Sequence, residues 1–226
     1  MKIQSVNLLT DYLKEQEEFY ARTFGLTIVE RTNKSFTVEV GRSFLIFEES
    51  EKAGDKPFYH FAFDIPGNKV SESILWLNSR GISLNLLPNH TIESYLKTWN
   101  STSIYFYDPA GNIVEFIARH NLQNNTFNPF DEKSLLNIRE IGLVVSNVPE
   151  AKEILGSQFS IEGYKDSSEK FAAIGDEDGL IILSEYERVW LGSNKQARYF
   201  KTEVKIEGVG KEEYVFNDYP YKIIGC

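Results

Sequence analysis

The chain has 226 residues, 42% hydrophobic and 25% charged, which suits a globular protein of one or two domains. Its formal net charge of −9 argues against a nucleic-acid partner, because phosphate binding needs a basic stripe. The lone cysteine, Cys226, rules out an intrachain disulfide or a cysteine zinc site, and the absence of a signal-like or membrane-spanning apolar run points to a cytoplasmic protein with no membrane partner.

In chain order, Ile3–Ser50 opens with a strand, Val6-Asn7-Leu8-Leu9. A helix follows over Leu13–Thr23, with Leu13, Phe19, Tyr20 and Phe24 at helical spacing and Gly25 placed to end it. Strands rich in Val, Ile, Thr and Phe come next at Leu26–Arg31, Ser35–Val40 and Ser43–Glu48. The same order recurs over Phe58–Ala118: strand Tyr59–Asp64, helix Val70–Ser79, then strands Ile82–Leu87, Ser103–Tyr107 and Asn112–Ala118. Asp108-Pro109-Ala110-Gly111-Asn112 forms the turn between the last two, Asp before Pro starting it and Gly supplying a positive φ. Residues 121–135 are polar, lack periodicity and read as a linker. A third copy follows with strand Ile141–Val145, helix Pro149–Leu155 and strands Phe171–Ile174 and Leu180–Leu183. The segment Tyr199–Cys226 reads as strands without a helix, a truncated fourth copy.

The strand–helix–strand–strand–strand repeat, the stretch Ser103–Phe116 with its Asp-Pro-x-Gly-Asn turn, and Phe19-Tyr20 through Phe24-Gly25-Leu26 together resemble the vicinal-oxygen-chelate superfamily. Glyoxalases, bleomycin-resistance proteins and extradiol dioxygenases are its members. The resemblance implies an α+β fold in which repeated βαβββ modules form curved mixed sheets around a U-shaped cavity. It places paired modules in residues 1–120, the linker at 121–135 and a second, truncated half at 136–226. It also implies one divalent metal (zinc, nickel, iron or manganese) held by residues of the first and last strands of paired modules. Such a metal chelates two neighbouring substrate oxygens.

Carried onto this chain, the resemblance puts metal ligands at His60 and Glu115. The first module fits less well, since its histidine position falls at about Ser5, a poor metal ligand, and Glu48 serves only if the register slips by one residue. Ser5, Tyr59, Tyr105 and Trp99, the last in a loop, are expected to contact a ligand. The resemblance puts Glu140 at the first-ligand position of its own module, but no partner histidine accompanies it, and Glu140 and Glu185 read as surface or structural acids; Arg119 reads as a surface charge, with contact to an anionic ligand at the cavity rim as the alternative. The missing first-module ligands favour a protein that binds a small organic molecule in a cavity, as the metal-free, dimeric bleomycin-resistance members do. That leaves a homodimer open. A metal-dependent lyase, isomerase or dioxygenase is the alternative, and a partner-binding regulatory module a third reading.

Overall fold

Alternation of inward and outward side chains governs the strands, which the computed structural model, describing every residue except Ala53, Lys211 and the side chain of Asp166, arranges in two mixed sheets. The first module contains β1 (Lys2–Thr10), α1 (Leu13–Glu17, continued as a π-helical stretch Glu18–Thr23), β2 (Ile28–Arg31), β3 (Ser35–Val40) and β4 (Ser43–Glu49). The second contains β5 (His60–Ile65), α2 (Val70–Ser79), β6 (Glu93–Leu96), β7 (Ser101–Tyr107) and β8 (Ile113–Arg119). The third contains β9 (Asn137–Val145), α3 (Val148–Phe159), β10 (Gly163–Ser168), β11 (Phe171–Asp176) and β12 (Gly179–Glu185). The last has β13 (Thr202–Glu207), β14 (Glu213–Val215) and β15 (Tyr221–Gly225), with no helix among the described residues. Among the described residues no helix is long and apolar enough to cross a membrane.

Two expected elements differ. Helix α3 runs past Leu155 to Phe159, because Ala151, Leu155 and Phe159 are all buried, and Asn147 caps its start by accepting from the Glu150 amide. The stretch Ile82–Leu87 makes only an isolated bridge between Leu84 and Phe106. The Asn85 side chain donates instead to the Gly192 carbonyl at 2.8 Å, and β6 takes the sheet edge.

The modules pair crosswise. One sheet runs β14-β15-β13-β1-β4-β3-β2 and joins the first and last modules; the other runs β10-β11-β12-β9-β5-β8-β7-β6 and joins the second and third. The expectation that residues 1–120 enclose their own cavity is therefore corrected. The seam in each sheet is an antiparallel pairing of first strands, β1 with β13 and β5 with β9, which neighbourhood in sequence does not select. The polar linker has the length to carry the chain past α2 before β9 enters beside β5. It is also tied down: Asn124 accepts from the Gly67 amide and Glu72 accepts from the Phe130 amide.

Each seam contains a register shift, at Ile3/Ser5 in β1 and opposite Ala62/Phe63 in β9. In β9 the extra residue is Arg139, and a bulge of this kind re-aims the side chains beside it.

One continuous apolar core includes Val6, Leu8, Phe47, Phe61, Phe63, Phe116, Leu143 and Leu183. At its margin lies a buried carboxylate. Asp108 accepts from Gln16 Nε2 at 2.6 Å, Tyr20 OH at 2.9 Å, the Asn112 amide at 2.9 Å and Asn112 Nδ2 at 2.7 Å. The Tyr of the first helix and the Asp-Pro-x-Gly-Asn turn are thus one hydrogen-bonded unit linking two modules. Asn112 Oδ1 then accepts from the Tyr59 amide at 2.8 Å, which fixes the start of β5. Removing the carboxylate strands several buried donors. Asp108→Ala should therefore lower the unfolding free energy by ~3 kcal/mol or more in urea titration, and a loss below ~1 kcal/mol would show that the network is dispensable.

Candidate metal centre and cavity

Three adjacent strands of the second sheet each send one polar side chain to a common point. In β5, Phe61, Phe63 and Ile65 enter the main core, leaving His60 and Ala62 on the opposite face. In β8, Val114, Phe116 and Ala118 enter that core, and Glu115 and Ile117 face the other way. In β9, Ile141, Leu143 and Val145 are core residues, so alternation puts Glu140 on the same side as His60, and the bulge at Arg139 returns Ile138 to the core. Ala62 pairs with Glu115 on one flank and Glu140 on the other, so its methyl group leaves room for both carboxylates to converge above it.

His60, Glu115 and Glu140 are 6%, 4% and 3% exposed, and one potential donor atom from each lies within 4.8 Å of the others. His60 Nδ1 lies 3.1 Å from the Ile113 carbonyl, which makes Nδ1 the protonated nitrogen and leaves the Nε2 lone pair facing Glu115 Oε2 at 3.5 Å. Burial lowers the His60 pKa to about 4, the Ile113 carbonyl pulls the other way, and the positive charge of Arg188 adds to the lowering. The imidazole is therefore neutral at pH 7, the form that binds metals. Burial, then the neighbouring Glu140 carboxylate, pushes Glu115 up to about 8. Burial also raises Glu140, opposed by Arg119, whose Nη2 donates to it at 2.7 Å.

Arg119 is fully buried. It also donates to Tyr164 OH at 3.1 Å and lies 5.2 Å from the ring centroids of Trp99 and Tyr164. The three donors fit a divalent cation. Bonds of about 2.1 Å require only that the side chains close in by small rotations, and one imidazole with two carboxylates suits manganese, iron, nickel or zinc while leaving coordination positions open.

The trio opens into a cavity of about 400 Å³, whose walls include Trp99, Tyr105, Phe171, Ile182 and Trp190. Trp190 comes from the loop after β12 and is seated on Gly142. A Cβ at Gly142 would lie 2.6 Å from the indole, and the indole lies 5.0 Å from the His60 ring.

Of the residues singled out in the sequence, His60, Glu115, Trp99 and Tyr105 meet in this cavity. Tyr59 does not line it. The Tyr59 hydroxyl accepts from the Leu9 amide at 3.1 Å and donates to the Lys201 carbonyl at 3.0 Å, stitching the two sheets together. Ser5 and Glu48 belong to the other sheet, where Ser5 follows the β1 bulge opposite Lys205 and Glu48 pairs with Leu9. Both corrections follow from the crosswise pairing, which hands the third acidic position to Glu140. Glu140 and Arg119, read as surface or structural charges, are buried at the site. The signal for Glu140 was present as Arg139-Glu140, two charges inside an apolar strand, a mark of a bulge with a function.

No family model matches the chain, and no curated protein matches it. Among solved structures it is similar to a Bacillus subtilis subsp. subtilis str. 168 protein described as a "putative dioxygenase", with 13% identity over 100% of this chain and 85% of that one and a TM-score of 0.65. It is also similar to glyoxalase I from Zea mays, with 15% identity over 90% of this chain and 74% of that one and a TM-score of 0.57. At these identities the likeness is one of fold.

The site carries a pH signature. With its pKa near 8 in the folded chain against an ordinary 4.5, Glu115 keeps its proton when folded and loses it when unfolded at pH values between the two. Protein stripped with chelator should therefore lose stability as pH rises through that window. Glu115→Gln should melt higher than the parent at pH 8, with the gap shrinking towards pH 5 in calorimetry. A gap of equal size at both pH values would mean that Glu115 ionises as an ordinary carboxyl.

Proposed function

We propose that this chain, built on the vicinal-oxygen-chelate fold, holds one divalent cation through His60, Glu115 and Glu140 and acts on a small organic molecule with adjacent oxygen atoms. The observation that carries the reading is the convergence of one imidazole and two carboxylates over Ala62, at the floor of a cavity with aromatic walls. A buried cluster serving stability alone would give each carboxylate its own cationic partner. Here Arg119 serves Glu140, while Glu115 faces a neutral ring nitrogen. Two carboxylates that repel each other beside a free Nε2 are what a dication satisfies.

When bound, the cation would supply Lewis-acid polarisation of substrate oxygens. The chain's own residues do the rest. The Ile113 carbonyl fixes the His60 tautomer and ring orientation, and Arg119 orients Glu140. Trp99, Tyr105 and Trp190 exclude water and hold the body of the ligand. The second reading is a metal-free binder of the bleomycin-resistance kind. It is favoured by the raised pKa of Glu115, which allows the cluster to be satisfied by a proton.

Elemental analysis of protein purified without chelator separates the two. About one manganese, iron, nickel or zinc ion per chain is expected. His60→Ala should release it, and Arg119→Gln, which removes no ligand but takes away the guanidinium that orients Glu140, should weaken binding by ~10–100-fold. Ala62→Leu should fill the space between the carboxylates and abolish binding in a folded protein. Retention of the same metal content in the His60→Ala and Ala62→Leu proteins would overturn the assignment.

A further inference from the structure

Among the described residues, the buried arginines outside the cavity wall are paired. Arg119 has Glu140, and Arg139 has Asp64. Arg188 is different. It is half-buried and is the only positively charged side chain among the described residues lining the cavity. Its guanidinium has no ion pair or hydrogen bond among those residues. It rests 4.9 Å from the centroid of the Phe171 ring, and burial lowers its pKa with no carboxylate opposing the shift.

Its backbone is pinned at both polar atoms. The amide donates to the Glu185 carbonyl at 3.1 Å, and the carbonyl accepts from the Ala197 amide at 2.8 Å. The neighbouring chain is held across the mouth of the cavity by the seating of Trp190 on Gly142 and by Lys195, whose Nζ donates to the Gly111 carbonyl at 2.5 Å. The guanidinium is thus presented from a fixed frame, with its hydrogen-bonding edge unclaimed.

Charge counting gives the same direction. Glu115 and Glu140 balance Arg119 and Arg188, so the protein leaves the two charges of a bound dication to be met by what enters the cavity. A planar guanidinium takes a carboxylate through two parallel hydrogen bonds, and the aromatic walls take an apolar body. From this arrangement we propose that Arg188 is the specificity-determining residue of the cavity and that the substrate is an organic acid with an aromatic or similarly apolar body, whose carboxylate pairs with Arg188. The orientation of such an acid towards His60, Glu115 and Glu140 rests on the metal-centre reading; the pairing with Arg188 does not.

Quenching of tryptophan fluorescence measures it, since Trp99 and Trp190 line the cavity. The probes are phenylacetate and 3-phenylpropionate against their neutral isosteres phenylacetamide and 3-phenylpropionamide, on full-length protein with and without manganese. The acids should bind at least ~10-fold more tightly than the amides. Arg188→Gln should erase that preference while leaving amide binding and manganese content unchanged, and Arg188→Lys should keep part of it in a protein of equal melting temperature. Equal binding of acids and amides, no binding of either, or a preference that survives Arg188→Gln would overturn the proposal. A preference that persists when manganese, iron, nickel and zinc all fail to bind would sink the metal centre and leave the assignment of Arg188 standing.

Discussion

The buried carboxylate of Asp108 ties the first helix to the β7–β8 turn and, through that turn, sets the start of the strand that carries His60. It draws Gln16 and Tyr20 from the helical segment of the first module and Asn112 from the β7–β8 turn of the second. Asn112 in turn holds the amide of Tyr59, and the Tyr59 carbonyl receives the Ile113 amide at 2.8 Å. His60 is the next residue along, and its ring is oriented by the carbonyl of Ile113. A turn whose chemistry is required for folding is therefore also the frame from which the imidazole hangs. The burial cost of Asp108 is met by its donors, so this polar unit can sit beside an apolar core without a counter-cation.

The same strands serve core and site by using opposite faces. Phe61, Phe63, Val114 and Phe116 make the central packing, and the alternate residues His60, Ala62, Glu115 and Ile117 are left for the cavity. The site is consequently rigid, because a strand cannot move one face without the other. It is also electrostatically costly, since two carboxylates are buried a short distance apart. The small side chain of Ala62, which pairs with Glu115 on one flank and Glu140 on the other, is what allows them to meet.

Much of this was legible in the residues. Helix α2 and strand β3 fall where their periodicity puts them, and the Asp-Pro-x-Gly-Asn turn located both β7–β8 and Glu115. His60 and Glu115 were recognisable as polar residues in apolar strands at positions the resemblance assigns. The partner of the second module was not legible. Strand pairing between modules is a long-range choice made by backbone edges, and alternation within a strand carries no record of it. Glu140, although at the first-ligand position of its own module, had no visible partner for that reason. Tyr59 was assigned to the cavity although it alternates with His60 and so faces away. Arg188 lies in an aperiodic loop, where only packing decides what a side chain meets.

The crosswise pairing also has a temporal meaning. Strand β1 finds its one antiparallel neighbour in β13, with Lys2 opposite Glu207. Nearly the whole chain must be synthesised before that edge is covered. Until then β1 offers unpaired amides and carbonyls, a surface on which other nascent chains can add. Closure of so long a loop makes for slow folding, since β13 must find β1 across all the intervening modules before the seam of that sheet is complete.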